Sequence, residues 1–140
     1  MRWVTRAECH VDRTACAWLI RRYVDPEATF EFVTDADRLP ADATPFDIPG
    51  QPFSHHDGLC TFEVMVRHYG LTYPGLERLG QVVHEADIED ERYDAPEAAG
   101  LDAIVRGMGL LMDDAALLDA TASVYDGLIA QIRAGDPRGR

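Results

Sequence analysis

No stretch of this chain approaches the ~20 consecutive apolar residues that a membrane span needs. The N-terminus, MRWVTRAECH, has no hydrophobic signal core either, which makes the cytoplasm the expected location. Cysteine is scarce: Cys9, Cys16 and Cys60 are odd in number and show no CxxC spacing. A disulfide framework and a cysteine-type zinc site are therefore not expected. Positive charge is also scarce, with 13 basic against 25 acidic residues and a formal net charge of −12. That balance argues against direct nucleic-acid binding, which depends on neutralising phosphates. A local cluster, Arg13, Arg21 and Arg22, is the basic exception. There is no Gly-rich nucleotide motif, no internal repeat and no low-complexity tract.

What is present is 140 residues with 46% apolar content, enough to bury the core of a single domain over residues 1–134. Residues 135–140 read as a disordered tail. Arg2 to Ala7 carries the β-formers Trp3, Val4 and Thr5 and reads as a strand. Thr14 to Val24 reads as a helix, with Asp12 a natural N-cap and Asp25-Pro26 as the stop. Thr29 to Thr34 alternates apolar and polar residues as a second strand, and Pro45 to Ile48 is a short extended segment carrying Asp47. From Thr61 the pattern becomes helical: to Tyr69 with Gly70 as cap, from Pro74 to about Ile88, from Pro96 to about Met112, and from Asp113-Asp114 to about Arg133. The expected class is α/β, a small sheet with a crossover helix in the N-terminal half and a helical C-terminal half.

The densest chemistry lies in FSHHDGLCTFE, where His55, His56, Asp57, Cys60 and Glu63 fall within nine residues. Imidazole with carboxylate is the ligand set of Zn, Mn or Fe sites and also serves acid–base work. His10 and Asp12 stand just after the first strand, the end of an open α/β sheet where ligands commonly bind. Arg13, in the first helical turn, could bind an anion beside free N–H groups, or Asp12 could simply cap while Arg13 is solvated. Asp47 sits within an apolar segment and points either to solvent or into the same pocket. His84 and Asp87, three apart on one helix face, could form a bidentate pair or a structural hydrogen bond. Thr61 can cap the following helix with Glu63 favouring its dipole, and Cys60 reads as a small buried residue rather than a nucleophile. One shared metal site would explain all these pairs together.

The runs WVTRAECHVDRTACAWLIRRYVDPEATFEFV, PFDIPG, FSHHDGLCTFE, VHEADIED and APEAAGLDAI resemble the C-terminal domain of the chromate-resistance ChrB family, from Trp3 to about Tyr125. The resemblance implies a role in bacterial chromate resistance, where the family is linked to sensing chromate and controlling an efflux pump. The full-length regulator carries an N-terminal DNA-binding part; this sequence starts at the domain boundary, so direct DNA binding is not expected of it. The family's polar motif positions fall on Asp12, Arg13, Arg21, Arg22, Asp47, His55, Glu63, His84 and Asp87. A weaker likeness, to DHH-type phosphoesterases, would place metal ligands at His10, Asp12, Asp47 and His55 or His56. Here Ser54 stands where that family has an Asp before the two histidines.

The functional expectation is a divalent metal, Mn, Fe or Zn, held by His55, Glu63, His84 and Asp87 with Asp47. Arg13 or Arg22, with His10 and His56, would help hold a small oxyanion such as chromate. A sensor of this kind needs a signalling partner, for which a homodimer is one route; no membrane partner is expected. The competing reading is a metal-dependent hydrolase or redox enzyme on the same ligands, with Asp12 or Glu63 as general base. A third is a structural domain in which the pairs are caps and hydrogen bonds.

Overall fold

Strand-forming Trp3, Val4 and Thr5 build β1 (Arg2–Arg6), the centre of a three-stranded sheet. The computed structural model describes residues 1–135. β1 pairs in parallel with β2 (Thr29–Val33) on one side, Trp3 opposite Phe30, and with the short β3 (Thr44–Pro45) on the other. Parallel pairing requires a crossover, and α1 (Val11–Leu19) supplies it. Every residue of α1 is buried, as expected for a helix packed on several sides. It continues into one π-helical turn (Ile20–Val24), closed by the Asp25 N–H on the Ile20 carbonyl at 2.7 Å. The four remaining helices are α2 (Thr61–His68), α3 (Leu76–Asp87), α4 (Ala98–Gly109) and α5 (Asp114–Ala134). The α/β class and the division between sheet and helical halves are as the sequence implies.

The core is aromatic at its centre. Trp3 lies against Phe46 and Phe53, and Trp18 stacks on Phe62 with ring centroids 6.5 Å apart. Leu76, Leu79, Val82 and Val83 bring α3 onto this cluster, while Tyr125 and Ile129 bring α5. Tyr125 is fully buried, so its hydroxyl needs internal partners. It donates to the Val11 carbonyl at 3.0 Å and shares a 2.6 Å bond with the Thr14 hydroxyl, fixing α5 on the first turn of α1.

Several local readings are corrected. His10, not Asp12, occupies the N-cap of α1, and Asp12 lies inside the first turn. Cys60, not Thr61, is the N-cap of α2. The extended segment expected at Pro45–Ile48 pairs only at Thr44–Pro45, after which Asp47 turns into left-handed backbone at φ +54°. The third and fourth helices begin two residues later than the periodicity suggests, because Pro74 and Pro96 lie in the turns before them. Asp113 caps α5 as a side chain, accepting from the Ala116 N–H at 2.9 Å. Of the tail, residues 136–140 lie outside the described residues.

The interlock of α1 and α5 is testable. Tyr125→Phe removes one buried hydroxyl without opening a cavity, and should cost about 1–2 kcal/mol in urea denaturation with an unchanged m-value. An unchanged midpoint would show that the hydroxyl contributes nothing to this contact.

Candidate metal centre

Three chain segments meet at the carboxyl ends of β1 and β3. The first turn of α1 delivers Asp12, the turn after β3 delivers Asp47, and the segment before α2 delivers His55. Asp12 is 1% exposed. Its Oδ2 accepts from the Thr61 N–H at 2.9 Å and its Oδ1 from the Phe62 N–H at 3.0 Å, so it caps α2 rather than its own helix. His55 Nε2 stands 3.1 Å from Asp12 Oδ2, 3.2 Å from Asp87 Oδ2 and 3.8 Å from Asp47 Oδ1. Asp87 arrives from the last turn of α3. One imidazole is thus approached by three carboxylates, with its own side chain 47% exposed.

The electrostatics follow from this crowding. The bond to Asp12 raises His55 to about 9, against the cost of partial burial, and the charges of Asp12, Asp87 and Asp47 add to the rise. Asp87 is pushed up to about 6, first by burial and then by Asp12 and Asp47. Burial and the Asp12 charge also push Asp47 upward. Asp47 Oδ1 accepts from the Thr61 hydroxyl at 2.7 Å and its Oδ2 from Arg13 Nε at 3.0 Å.

The expected single site is resolved into two. Glu63 and His84 lie on the other side of the α2 N-terminus, away from His55 and Asp87. His84 is fully buried, with Nδ1 2.5 Å from Glu63 Oε1 and Nε2 2.8 Å from Asp90 Oδ1. An imidazole that donates at both nitrogens is the imidazolium, and its titration is raised: burial opposes the charge, and the bonds to Glu63 and Asp90 outweigh it. Glu63 also accepts from the Cys60 N–H at 3.1 Å and from the Tyr93 hydroxyl at 2.8 Å. Glu85 holds the adjoining loop through the Glu91 and Tyr93 amides. His84 and Asp87 share a helix but not a partner.

Other candidates have different employment. Arg13 is 8% exposed; besides Asp47 it donates from Nη1 to the Arg6 and Ala7 carbonyls at 3.0 and 3.1 Å. It is a clip on the β1–α1 loop, not a free anion binder. Arg22 pairs with Asp126, and Arg21 with Asp119, both on α5 and apart from the cluster. His56 bonds the Gln51 carbonyl at 3.0 Å and the Ser54 hydroxyl at 3.1 Å within its own turn. His10 is exposed at the start of α1, held below the usual histidine range by partial burial and then by Arg106 and Arg13. Burial raises the Cys60 and Cys16 thiols well above the usual range, so neither is a nucleophile.

As general bases Asp12 and Glu63 are poorly placed, since each carboxylate is committed to helix amides and side-chain donors. Sequence reasoning gave no role to Glu85, Asp90 or Tyr93, leaving the acidic run Glu89 to Asp94 unassigned between two helices. The available signal was Tyr93, an aromatic in the middle of that polar run. Among the described residues, the donors within 4.8 Å of one another that could hold an ion are Asp12, His55 and Asp87; Cys60, Glu63 and His84; and His84, Glu85 and Asp90. The first set faces solvent through His55 and Asp87, while the other two centre on the buried His84.

A family model described as ChrB, C-terminal domain, matches residues 3–132. Protein ChrB of Cupriavidus metallidurans is 43% identical over 128 residues, covering 90% of this chain and 39% of that protein. The chain therefore spans about two fifths of the length of that relative. No solved structure matches. With the family model covering nearly the whole sequence, including every residue of both imidazole clusters, the chain belongs to the ChrB C-terminal domain family.

Proposed function

We propose that this domain acts in chromate resistance by holding a divalent metal at Asp12, His55 and Asp87, and that the metal recognises an oxyanion such as chromate. The observation that carries the reading is the half-exposed His55 among three carboxylates, two of them nearly buried. Carboxylates gathered this closely repel one another unless a cation lies between them. Without metal, the protonated His55 is that cation. A divalent ion taking its place would gain one nitrogen and two oxygen donors, a set suited to Mn, Fe or Zn, with Asp47 behind them. Because Arg13 and Arg22 are already paired, the positive charge for the anion comes from the metal.

A second reading is favoured by one observation. Asp12, Asp47 and His55, three of the positions implied by the phosphoesterase likeness, converge at the sheet edge. A metal there with a coordination position open to solvent could activate water for hydrolysis. Metal-dependent turnover of a phosphodiester would favour this reading; chromate binding without turnover favours the first.

Elemental analysis after loading with Mn, Fe or Zn and desalting tests the site. Wild type should retain about one equivalent, and His55→Ala and Asp87→Asn should weaken binding at least about 100-fold. Asp90→Asn, which touches only the His84 cluster, should leave it unchanged. Absence of metal in loaded wild type, or equal loss in Asp90→Asn, would overturn the assignment. Chromate should then bind the loaded protein and not the stripped one.

The pH dependence has a fixed sign. His55 titrates at about 9 in the fold against the ordinary imidazole value of 6.5, so its charge stabilises the metal-free protein below pH 6.5. That contribution is lost as pH rises through about 9. Asp87, raised from 3.8 to about 6, favours its protonated form in the fold and also lowers stability as pH rises through that range. Thermal melts of stripped protein should fall as pH rises from 6.5 to about 9, and His55→Gln should flatten that fall. Metal loading should release about one proton near neutral pH, measurable in buffers of different ionisation enthalpy.

A further inference from the structure

Beside the His84 cluster, on the far side of α2 from the candidate metal centre, an open cavity of about 560 Å³ lies between α2, α3 and the turn joining them. Its size is that of a small-molecule site. Val66, Leu71 and Leu76 supply apolar walls, and Glu63 and Tyr93 supply a polar end. Gly80 allows this arrangement: a Cβ there would lie 3.3 Å from Glu63 Cγ, inside comfortable packing distance. The metal reading makes no use of this cavity.

The polar end is rich in acceptors. The Tyr93 hydroxyl spends its proton on Glu63 Oε2, leaving its own lone pairs and one acceptor position on Oε2 for a ligand, while Oε1 is taken up by the Cys60 amide and His84. Its charge is negative as well. Around His84 stand Glu63, Glu85 and Asp90, three carboxylates against one imidazolium. Glu77 adds a further negative charge and exposed Tyr73 an aromatic face that favours cations. Among the described residues, Arg67, exposed and one helical turn beyond Glu63, is the cationic residue of the lining, and Arg92 stands over the Tyr93 ring.

The geometry points to a binding site for a small organic ammonium with an apolar body. The ammonium donates to Glu63 and Tyr93, and the body lies against Val66, Leu71 and Leu76. An oxyanion would meet the same carboxylates with repulsion, so this site and the proposed metal centre take ligands of opposite charge.

Calorimetric titration with phenethylamine, 2-phenylethanol and 3-phenylpropionate, which share one body, tests the assignment. Phenethylamine should bind with a Kd of about 1 mM, the alcohol about tenfold more weakly, and the carboxylate not detectably. Glu63→Gln should weaken the amine about tenfold. Since Glu63 also supports His84, Glu77→Arg at the exposed rim provides a variant that keeps the interior intact and should weaken the amine severalfold. Metal-stripped wild type and His55→Ala should bind the amine as wild type does, which separates this site from the metal centre. No amine binding, binding of the carboxylate as tight as the amine, or an amine affinity untouched by both Glu63→Gln and Glu77→Arg would overturn it.

Discussion

The first two free amides of α2 end on the carboxylate of Asp12, a residue of a different helix. A nearly buried carboxylate is costly unless donors surround it, and a helix start is costly unless acceptors meet its N–H groups. Each group here removes the other's penalty, and the result fixes α2 against α1 at the sheet edge. The consequences run outward. With α2 placed, Glu63 can reach back to the Cys60 amide and across to His84, and Thr61 can donate to Asp47. Asp47 in turn holds Arg13, which holds the carbonyls of the β1–α1 loop that presents Asp12. Removal of Asp12 would leave the Thr61 and Phe62 amides and the His55 imidazole without their acceptor.

The sheet and helix order were legible because two runs of strand formers flank one apolar helical run before residue 35, and helical spacing takes over after Thr61. The His-and-carboxylate residues were legible too, and they lie where a parallel sheet places ligands. Their grouping was not. His84 and Asp87 are neighbours on a helical net, yet three residues are roughly 4.5 Å of rise and a 60° change of direction. That is enough to send one side chain to Glu63 and the other to His55. Sequence spacing reports which side chains share a face, not which partners wait opposite.

Arg13 illustrates a different limit. Its position in a first helical turn suggests an exposed donor, but Glu8 takes a left-handed conformation at φ +64° in the loop whose carbonyls, at Arg6 and Ala7, meet its guanidinium. Carbonyl direction has little signature in residue type. The acidic run Glu89 to Asp94 failed in the same way: Asp90 and the backbone amides of Glu91 and Tyr93 are tied to α3 by bonds that composition does not reveal.

The two imidazoles have similar partners and opposite prospects. His84 has no exposed surface, and both nitrogens are spent on carboxylates that also fix α2 and the loop after α3. For a metal to enter there, it would have to part both bonds and bind an imidazole with no exposed surface. His55 presents nearly half its side chain to solvent and meets its carboxylates through a single nitrogen. Exchange there costs one proton, and Asp12 keeps its hold on α2 throughout, since each of its oxygens accepts more than one bond. The same chemistry is therefore structural at His84 and available for exchange at His55, and exposure decides which.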